Sequence, residues 1–297
     1  MSTLAPRVVV VSRRTELDEL LPRHGTRAAA AYFLRQRGRD LDEVTRRHAA
    51  QQATLTEVGA AIPADWRRGQ VDRDDLPRFL FAPEDIVVAV GQDGLVANVA
   101  KYLDEQPVIG VNPEPGRNPG VLVRHDPDAV GGLLRGSRTV LSRTMVAARL
   151  DDGQELVGLN EVYVGHPTHQ SSRYLLSTVD GKRERHSSSG VVVGTGTGAT
   201  GWLASLAHDR RAVPPMPGPG DPALAWFVRE AWPSLATGVT LTEGTLGRDD
   251  PLTLTCESER LVVFADGLEQ DRLEFGWGQQ LTVAVAARRL HLVMEVR

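Results

Sequence analysis

Three hydrophobic patterns succeed one another along the chain. Residues 7–11 (RVVVV) and 86–90 (IVVAV) are solid β-branched runs without a polar face, as strands buried on both sides of a parallel sheet require. Between them the apolar positions take helical spacing. Leu17, Leu20 and Leu21 lead to a break at Gly25, residues 27–34 lead to Gly38, and Leu41, Val44, His48, Leu55 and Val58 fall on one stripe of residues 41–61. The charged stretch 67–75 is expected to be a link, followed by a short apolar run at 79–82. After residue 90 the period turns helical again at Val96, Ala97, Ala100 and Leu103, and residues 107–111 (PVIGV) form the next expected strand. That strand ends in the loop Asn112-Pro113-Glu114-Pro115-Gly116-Arg117-Asn118-Pro119-Gly120. Strand, helix and strand joined by short links make an α/β layer, with the ligand site expected at the strands' carboxyl ends.

From Thr139 the pattern changes to short alternating or apolar runs parted by turn signals, at 144–150, 156–165, 173–179 and 190–193. A proline and glycine loop at 213–221 (VPPMPGPGD), expected to be mobile, precedes one helical patch near 223–231. Strands resume at 252–256, 261–265, 281–285 and 290–296. The expected division is an α/β amino-terminal domain, 1–135, and a β-rich carboxyl-terminal domain, 136–297.

Length and composition fit this division. A chain of 297 residues, 41% hydrophobic, suits about two domains. The opening residues show no basic and then apolar leader pattern, and no run approaches the ~18 apolar residues of a membrane helix, so neither secretion nor membrane insertion is expected. A single cysteine, Cys256, fits a reducing cytoplasm. The net charge of −4 speaks against a nucleic-acid coat. The seven arginines between residues 23 and 47 are interrupted by Asp40, Asp42 and Glu43, as on a solvated helical face.

Three stretches carry candidate chemistry. Gly91-Gln92-Asp93-Gly94 lies on a strand-to-helix turn whose glycines are expected to supply positive φ or close approach, with amides facing an anion such as phosphate. Asp93 there either takes part in phosphoryl transfer, as a base or a metal holder, or simply caps the helix. Gly196, Gly198 and Gly201 have dinucleotide-fingerprint spacing, but Pro214, Pro215 and Pro217 follow where the fingerprint needs a second strand, which excludes a hydride-transfer fold. What remains is a glycine turn that is structural, or whose amides and Thr195, Thr197 and Thr200 hydroxyls cradle a nucleotide phosphate or sugar. Asn160-Glu161 interrupts the apolar run LVGLNEVYV, either as a ribose and base grip or as an outward pair on an edge strand. There is no phosphate-loop lysine motif, no HExxH, no G-x-S-x-G and no cysteine pair for zinc. His166 and His169 flank Pro167, which favours a surface loop over a metal site, and the serines 187–189 lack an activating base.

Taken in order, Gly91-Gln92-Asp93-Gly94, PVIGVN ending at Asn112, Leu159-Asn160-Glu161-Val162, and Ser188-Ser189-Gly190 followed by Gly194-Thr195-Gly196-Thr197-Gly198 resemble the ordered motifs of the NAD kinases. The similarity is closest to the mitochondrial type, in VIGVN with its Pro-Glu and Gly-rich turn and in the SSG and TGTG stretch. The resemblance implies an α/β Rossmann-like amino-terminal domain, a β-sandwich carboxyl-terminal domain, a site between them, and an active homo-oligomer, often a dimer. It implies ATP-dependent phosphorylation of the adenosine-ribose 2'-hydroxyl of NAD to NADP, with Asp93 as the proton acceptor and Mg2+ arriving with ATP rather than in a protein cage. Gly91, Gln92 and Gly94 would meet the donor's phosphates, Asn160 and Glu161 would hold the dinucleotide's adenosine part, and Thr195, Gly196, Thr197, Gly198 and Thr200 would shape its pocket. Asn112, Ser188 and Ser189 would complete the nucleotide-binding positions, and Asp266-Gly267 in VVFADG resembles a late Asp-Gly turn of the family.

Two departures stand out. Gln92 and Leu95 replace the second glycine and the threonine of the family's Gly-Gly-Asp-Gly-Thr turn; a positive φ at Gln92 would cost about 1 kcal/mol or more, and a phosphate-binding hydroxyl is lost. Ser189 stands where many bacterial members have aspartate. The competing functional readings are a kinase for another nucleoside or a lipid hydroxyl, and a noncatalytic NAD(P) sensor.

Overall fold

The structure is a computed structural model that describes residues 5–117, 119–136, 138–210 and 213–295. The first four residues of the opening, Asn118 of the proline-rich loop and Val296 of the last expected strand lie outside them. The chain forms two compact units. One runs through Leu141 and takes back the segment from His291; the other is Ser142–Leu290.

The solid apolar runs become the middle of the first unit's sheet. β1 (Arg7–Ser12), β2 (Arg67–Asp72), β3 (Asp85–Val90), β4 (Pro107–Val111) and β5 (Arg138–Arg143) join the chain's final strand, Leu290–Glu295, in the order β2, β1, β3, β4, final strand, β5. β1 through β4 and the final strand are parallel neighbours. Every residue of β3 is buried. The three helices between β1 and β2 are α1 (Glu16–His24), α2 (Arg27–Arg35) and α3 (Leu41–Ala61). α1 opens with a Thr15–Asp18 capping box and ends at Gly25, whose φ of 72° suits glycine. Val58 of α3 and Val130, Leu133 and Leu134 of α5 (Val130–Leu134) close one core with Val8, Val88 and Ile109 of the sheet. α4 (Asp93–Ala100) follows β3.

The sequence hid two features of this unit. The charged stretch expected to be a link is β2, an edge strand paired from Arg7↔Arg67 to Ser12↔Asp72; only Val71 in it is buried, so it carries no hydrophobic signature. The final strand, expected with the β-rich half, pairs beside β4 instead. The apolar run at 79–82 is irregular, and Arg39 and Arg47 of the arginine-rich stretch pair with Glu16 and Glu114.

The second unit holds β6 (Val146–Leu150), β7 (Glu155–Gly158), β8 (Glu161–Gly165), β9 (Ser172–Ser177), β10 (Arg183–Ser188), β11 (Val191–Gly194), α6 (Trp202–His208), β12 (Leu224–Val228), β13 (Glu243–Leu246), β14 (Leu252–Cys256), β15 (Arg260–Ala265), β16 (Arg272–Gly276) and β17 (Gln280–Val285). They make two six-stranded sheets, ordered β10-β9-β14-β17-β6-β7 and β13-β12-β11-β8-β15-β16. Val146, Leu176 and Leu254 of one sheet share a core with Val164, Val193 and Val263 of the other. The patch expected to be helical at 223–231 is β12: LAWFV is buried throughout between β11 and β13, and a short apolar run has no period to distinguish buried strand from buried helix. α6 covers the outer face of this sheet through Leu203, packed on Val192, Ala225 and Phe227. No helix among the described residues is long and apolar enough to cross a membrane.

Candidate nucleotide site

Asp93 is the first residue of α4, and Gln92 before it is the N-cap in extended backbone, φ −102° and ψ 167°. Neither Gly91 nor Gly94 adopts a positive φ, so of the two expected reasons for these glycines only close approach is left, and Gln92, in extended backbone, carries no backbone strain. Gly91 sits in tight space, since a Cβ there would lie 3.0 Å from the Leu95 Cδ2, whereas Gly94 faces open room. Leu95 is buried, so the position of the family's threonine is occupied by core packing.

The Asp93 carboxylate caps no amide of its own helix's start. It reaches to the loop after β4, where Oδ1 accepts the backbone N–H groups of Val121 (3.1 Å), Leu122 (2.8 Å) and Val123 (3.0 Å), and Oδ2 accepts that of Val121 (2.8 Å). That loop lies directly on β4, because a Cβ at Gly110 would come within 2.1 Å of the Leu122 carbonyl. A carboxylate has about four lone-pair positions. Oδ1 is fully engaged and Oδ2 keeps acceptor capacity, so the group is held in one orientation with room for a further hydrogen bond. Its negative charge also suits the first turn of a helix. Asn112, buried at the end of β4, accepts the Glu114 N–H through its own Oδ1 (3.0 Å), which shapes the start of the same loop.

The second unit assembles a different constellation. The apolar run at 156–165 is two strands, β7 and β8, joined by the turn Leu159-Asn160, which takes Asn160 out of a strand interior and leaves Glu161 as the first residue of β8. Asp266, in the left-handed region at φ 51°, accepts the N–H groups of Leu159 (Oδ2, 2.8 Å), Asn160 (Oδ1, 2.7 Å) and Glu161 (Oδ1, 3.3 Å). From the other side Thr195, wholly buried, donates its hydroxyl to the Leu159 carbonyl (2.6 Å) and its N–H to the Asn160 carbonyl (2.9 Å). The same hydroxyl accepts the N–H groups of Thr197 (3.1 Å) and Gly198 (3.4 Å), so one side chain sets both the turn and the glycine loop.

The glycines of that loop are sites of close approach. A Cβ at Gly198 would meet the Asn160 carbonyl oxygen at 2.4 Å, one at Gly194 would meet Leu203 at 2.5 Å, and one at Gly196 would meet the Gly218 backbone at 2.2 Å. The Thr197 Oγ1 is buried without a hydrogen-bond partner, and Thr200 is exposed. While the backbone of Asn160 and Glu161 is fixed, neither side chain has a hydrogen-bond partner among the described residues. Burial pushes the Glu161 carboxyl up to about 7, and the charge of Asp266 adds to the rise.

Asn160, Glu161, Thr195, Gly196, Thr197 and Gly198 are thus brought together in one unit, and Gly91, Gln92, Asp93, Gly94 and Asn112 in the other. Ser188 is turned inward: its hydroxyl pairs with the Tyr174 hydroxyl (2.7 Å) and accepts the Gly190 N–H (3.0 Å), an arrangement that shapes the β10–β11 turn. Ser189 is half-buried, with its N–H on the Arg229 carbonyl (2.9 Å) and its carbonyl on the Tyr163 hydroxyl (2.9 Å). Asp266 is the residue whose weight the sequence understated. Its signal was an Asp-Gly pair ending an apolar strand, where a left-handed residue can fold a carboxylate back over neighbouring amides.

No protein-family model matches the chain. It is 27% identical over 127 residues to the NAD kinase of Chlorobaculum tepidum, a match covering 41% of this chain and 44% of that protein. It is 31% and 30% identical over 171 residues to the mitochondrial NAD kinase 2 of Rattus norvegicus and Homo sapiens, matches covering 41% of this chain and 40% and 39% of those proteins. The matched stretch thus spans less than half the length of each of these relatives.

Proposed function

Because this chain is a relative of the NAD kinases, the mitochondrial type among them, we propose that it transfers the γ-phosphoryl group of ATP to the adenosine-ribose 2'-hydroxyl of NAD, giving NADP and ADP. The observation that carries this reading is the Asn160-Glu161 turn: a backbone fixed by Asp266 and Thr195, presenting an amide and a carboxyl without partners. A fixed pair of unengaged polar groups suits the hydroxyls of a ribose and the edge of a base. The glycine loop supports it, since Thr197 offers a buried hydroxyl that lacks a partner.

In this reading Asp93 accepts the 2'-hydroxyl proton at Oδ2 while the amides of Val121, Leu122 and Val123 keep the carboxylate oriented. The hydroxyl oxygen forms the new bond to phosphorus, and the bond from phosphorus to the bridging oxygen breaks as ADP leaves. Magnesium would enter with ATP, on its phosphates. Among the described residues no three His, Cys, Asp or Glu side chains are grouped to hold an ion. The fold would be the Rossmann-like domain and β-sandwich of the kinases, the active form a homo-oligomer, a dimer, and the compartment the cytoplasm.

The test is product analysis with NAD, ATP and magnesium. NADP and ADP in equal amounts support the proposal. A noncatalytic sensor of NAD or NADP is the second reading, and the engagement of Asp93 with three amides favours it; NAD binding without ATP-dependent product would establish that reading instead.

A further inference from the structure

The chain passes between units twice, after Leu141 and after Leu290. Both passages are bound to one short segment. Thr144, buried three residues after the first, donates its hydroxyl to the Asp221 carbonyl (2.7 Å) and its N–H to the Pro219 carbonyl (3.0 Å). Arg289, just before the second, donates Nη2 to the Thr144 hydroxyl (3.1 Å) and to the Gly220 carbonyl (2.5 Å). The passages are also joined directly, the Ala286 N–H to the Met145 carbonyl (2.9 Å). The loop expected to be mobile is therefore pinned at its carboxyl-terminal end.

The other side of this segment bears on the glycine loop. A Cβ at Gly196 would come within 2.2 Å of the Gly218 carbonyl and 2.5 Å of the Pro217 oxygen, so the two backbones touch with no side chain between them. Asp221 stiffens the link, accepting the Gly218 N–H (2.7 Å) and donating its own to the Gly218 carbonyl (3.1 Å). Side-chain contacts absorb a displacement by changing rotamer, but backbone packed on backbone transmits it.

We infer that Thr144 and Arg289 are positioning residues of the glycine loop, tying both interunit passages through residues 217–221 to Gly196. The shape of the loop around Thr195, Thr197 and Gly198 is then set partly at the passages, and a nucleotide seated in the loop alters them in return. Only that last step rests on the proposed function.

Amide hydrogen exchange tests the coupling without ligand. Thr144→Val is expected to speed exchange at Thr197 and Gly198 about tenfold while the amides of β14 and β17 keep their rates, and Thr144→Ser, which retains the hydroxyl, is expected to restore it. Arg289→Lys, unable to bridge Thr144 and Gly220 together, carries the same readout should Thr144→Val not fold. In the reverse direction Gly196→Ala is expected to speed exchange at Ala286. Faster exchange confined to residues 144, 220 and 221, or a serine variant behaving as the valine one, overturns the inference. In a separate arm, NAD that leaves residues 195–198 unprotected counts against the nucleotide reading, while the ligand-free arms still decide the coupling.

Discussion

Each unit contains an aspartate that collects three consecutive backbone amides, and the two differ in what that leaves them able to do. Asp93 stands at the head of a helix in ordinary backbone and gathers Val121, Leu122 and Val123 from a loop nearly thirty residues on. Three of its four bonds fall on Oδ1, which leaves Oδ2 able to accept again. Asp266 stands in left-handed backbone and divides its bonds over both oxygens. What it leaves unengaged is not its own carboxylate but the side chains of Asn160 and Glu161, whose amides it holds. On the proposed reading, the same device orients a group for chemistry in one unit and a backbone for binding in the other.

Substitutions that strike one cradle and spare the other sharpen the contrast. The largest effect is expected for Asp93→Asn, with kcat for NADP formation falling by about 10²–10⁴-fold as the proton acceptor is lost. Circular dichroism should keep its native form, and normal turnover would remove Asp93 from the mechanism. Asp266→Ala strands three amides and should lower unfolding stability by about 2–4 kcal/mol in a denaturant titration. An unchanged midpoint would break the parallel between the aspartates. Gly198→Ala drives a methyl into the Asn160 carbonyl and should cost about 1–3 kcal/mol, with weaker NAD binding.

Glu161 adds a pH signature with two opposite signs. Its carboxyl, held at about 7, is ionised only above that pH, so NAD binding through the carboxylate should strengthen as pH rises through 7, and Glu161→Gln should flatten the profile. Stability runs the other way. With its folded value raised, the group binds more protons folded than unfolded, so its contribution falls as pH climbs from the unfolded value near 4.5 through about 7. Thermal melts of wild type and Glu161→Gln at pH 5 and pH 8 would show the difference. The smallest effect is expected for Gln92→Gly, within about 0.5 kcal/mol, because an extended backbone gains nothing from glycine.

This last case marks what sequence could and could not supply. Solid β-branched runs and helical stripes located β1, β3, β4 and the three long-spaced helices, since burial on both faces or on one stripe leaves a period. β2 left none, because an edge strand is buried on too little of its surface, and LAWFV was ambiguous because complete burial erases periodicity. At the site, motif order brought Asp93, Asn160, Glu161 and the Thr195 loop forward. For the glycines of the Asp93 turn either positive φ or close approach was expected: neither takes a positive φ, Gly91 lies close to Leu95 and Gly94 meets nothing, while a Cβ would clash at Gly194, Gly196 and Gly198. The partners of Asp93 and Asp266 are contacts made by the fold across gaps of up to 107 residues, and no local pattern encodes them.

Equilibrium binding of NAD to Asp93→Asn and Asp266→Asn, measured side by side by calorimetry, bears most directly on this division of labour. The expected result is near wild-type affinity for the first variant, and for the second a dissociation constant raised roughly tenfold or more, equivalent to about 1.4 kcal/mol. Equal losses in both, or the larger loss in Asp93→Asn, would contradict it.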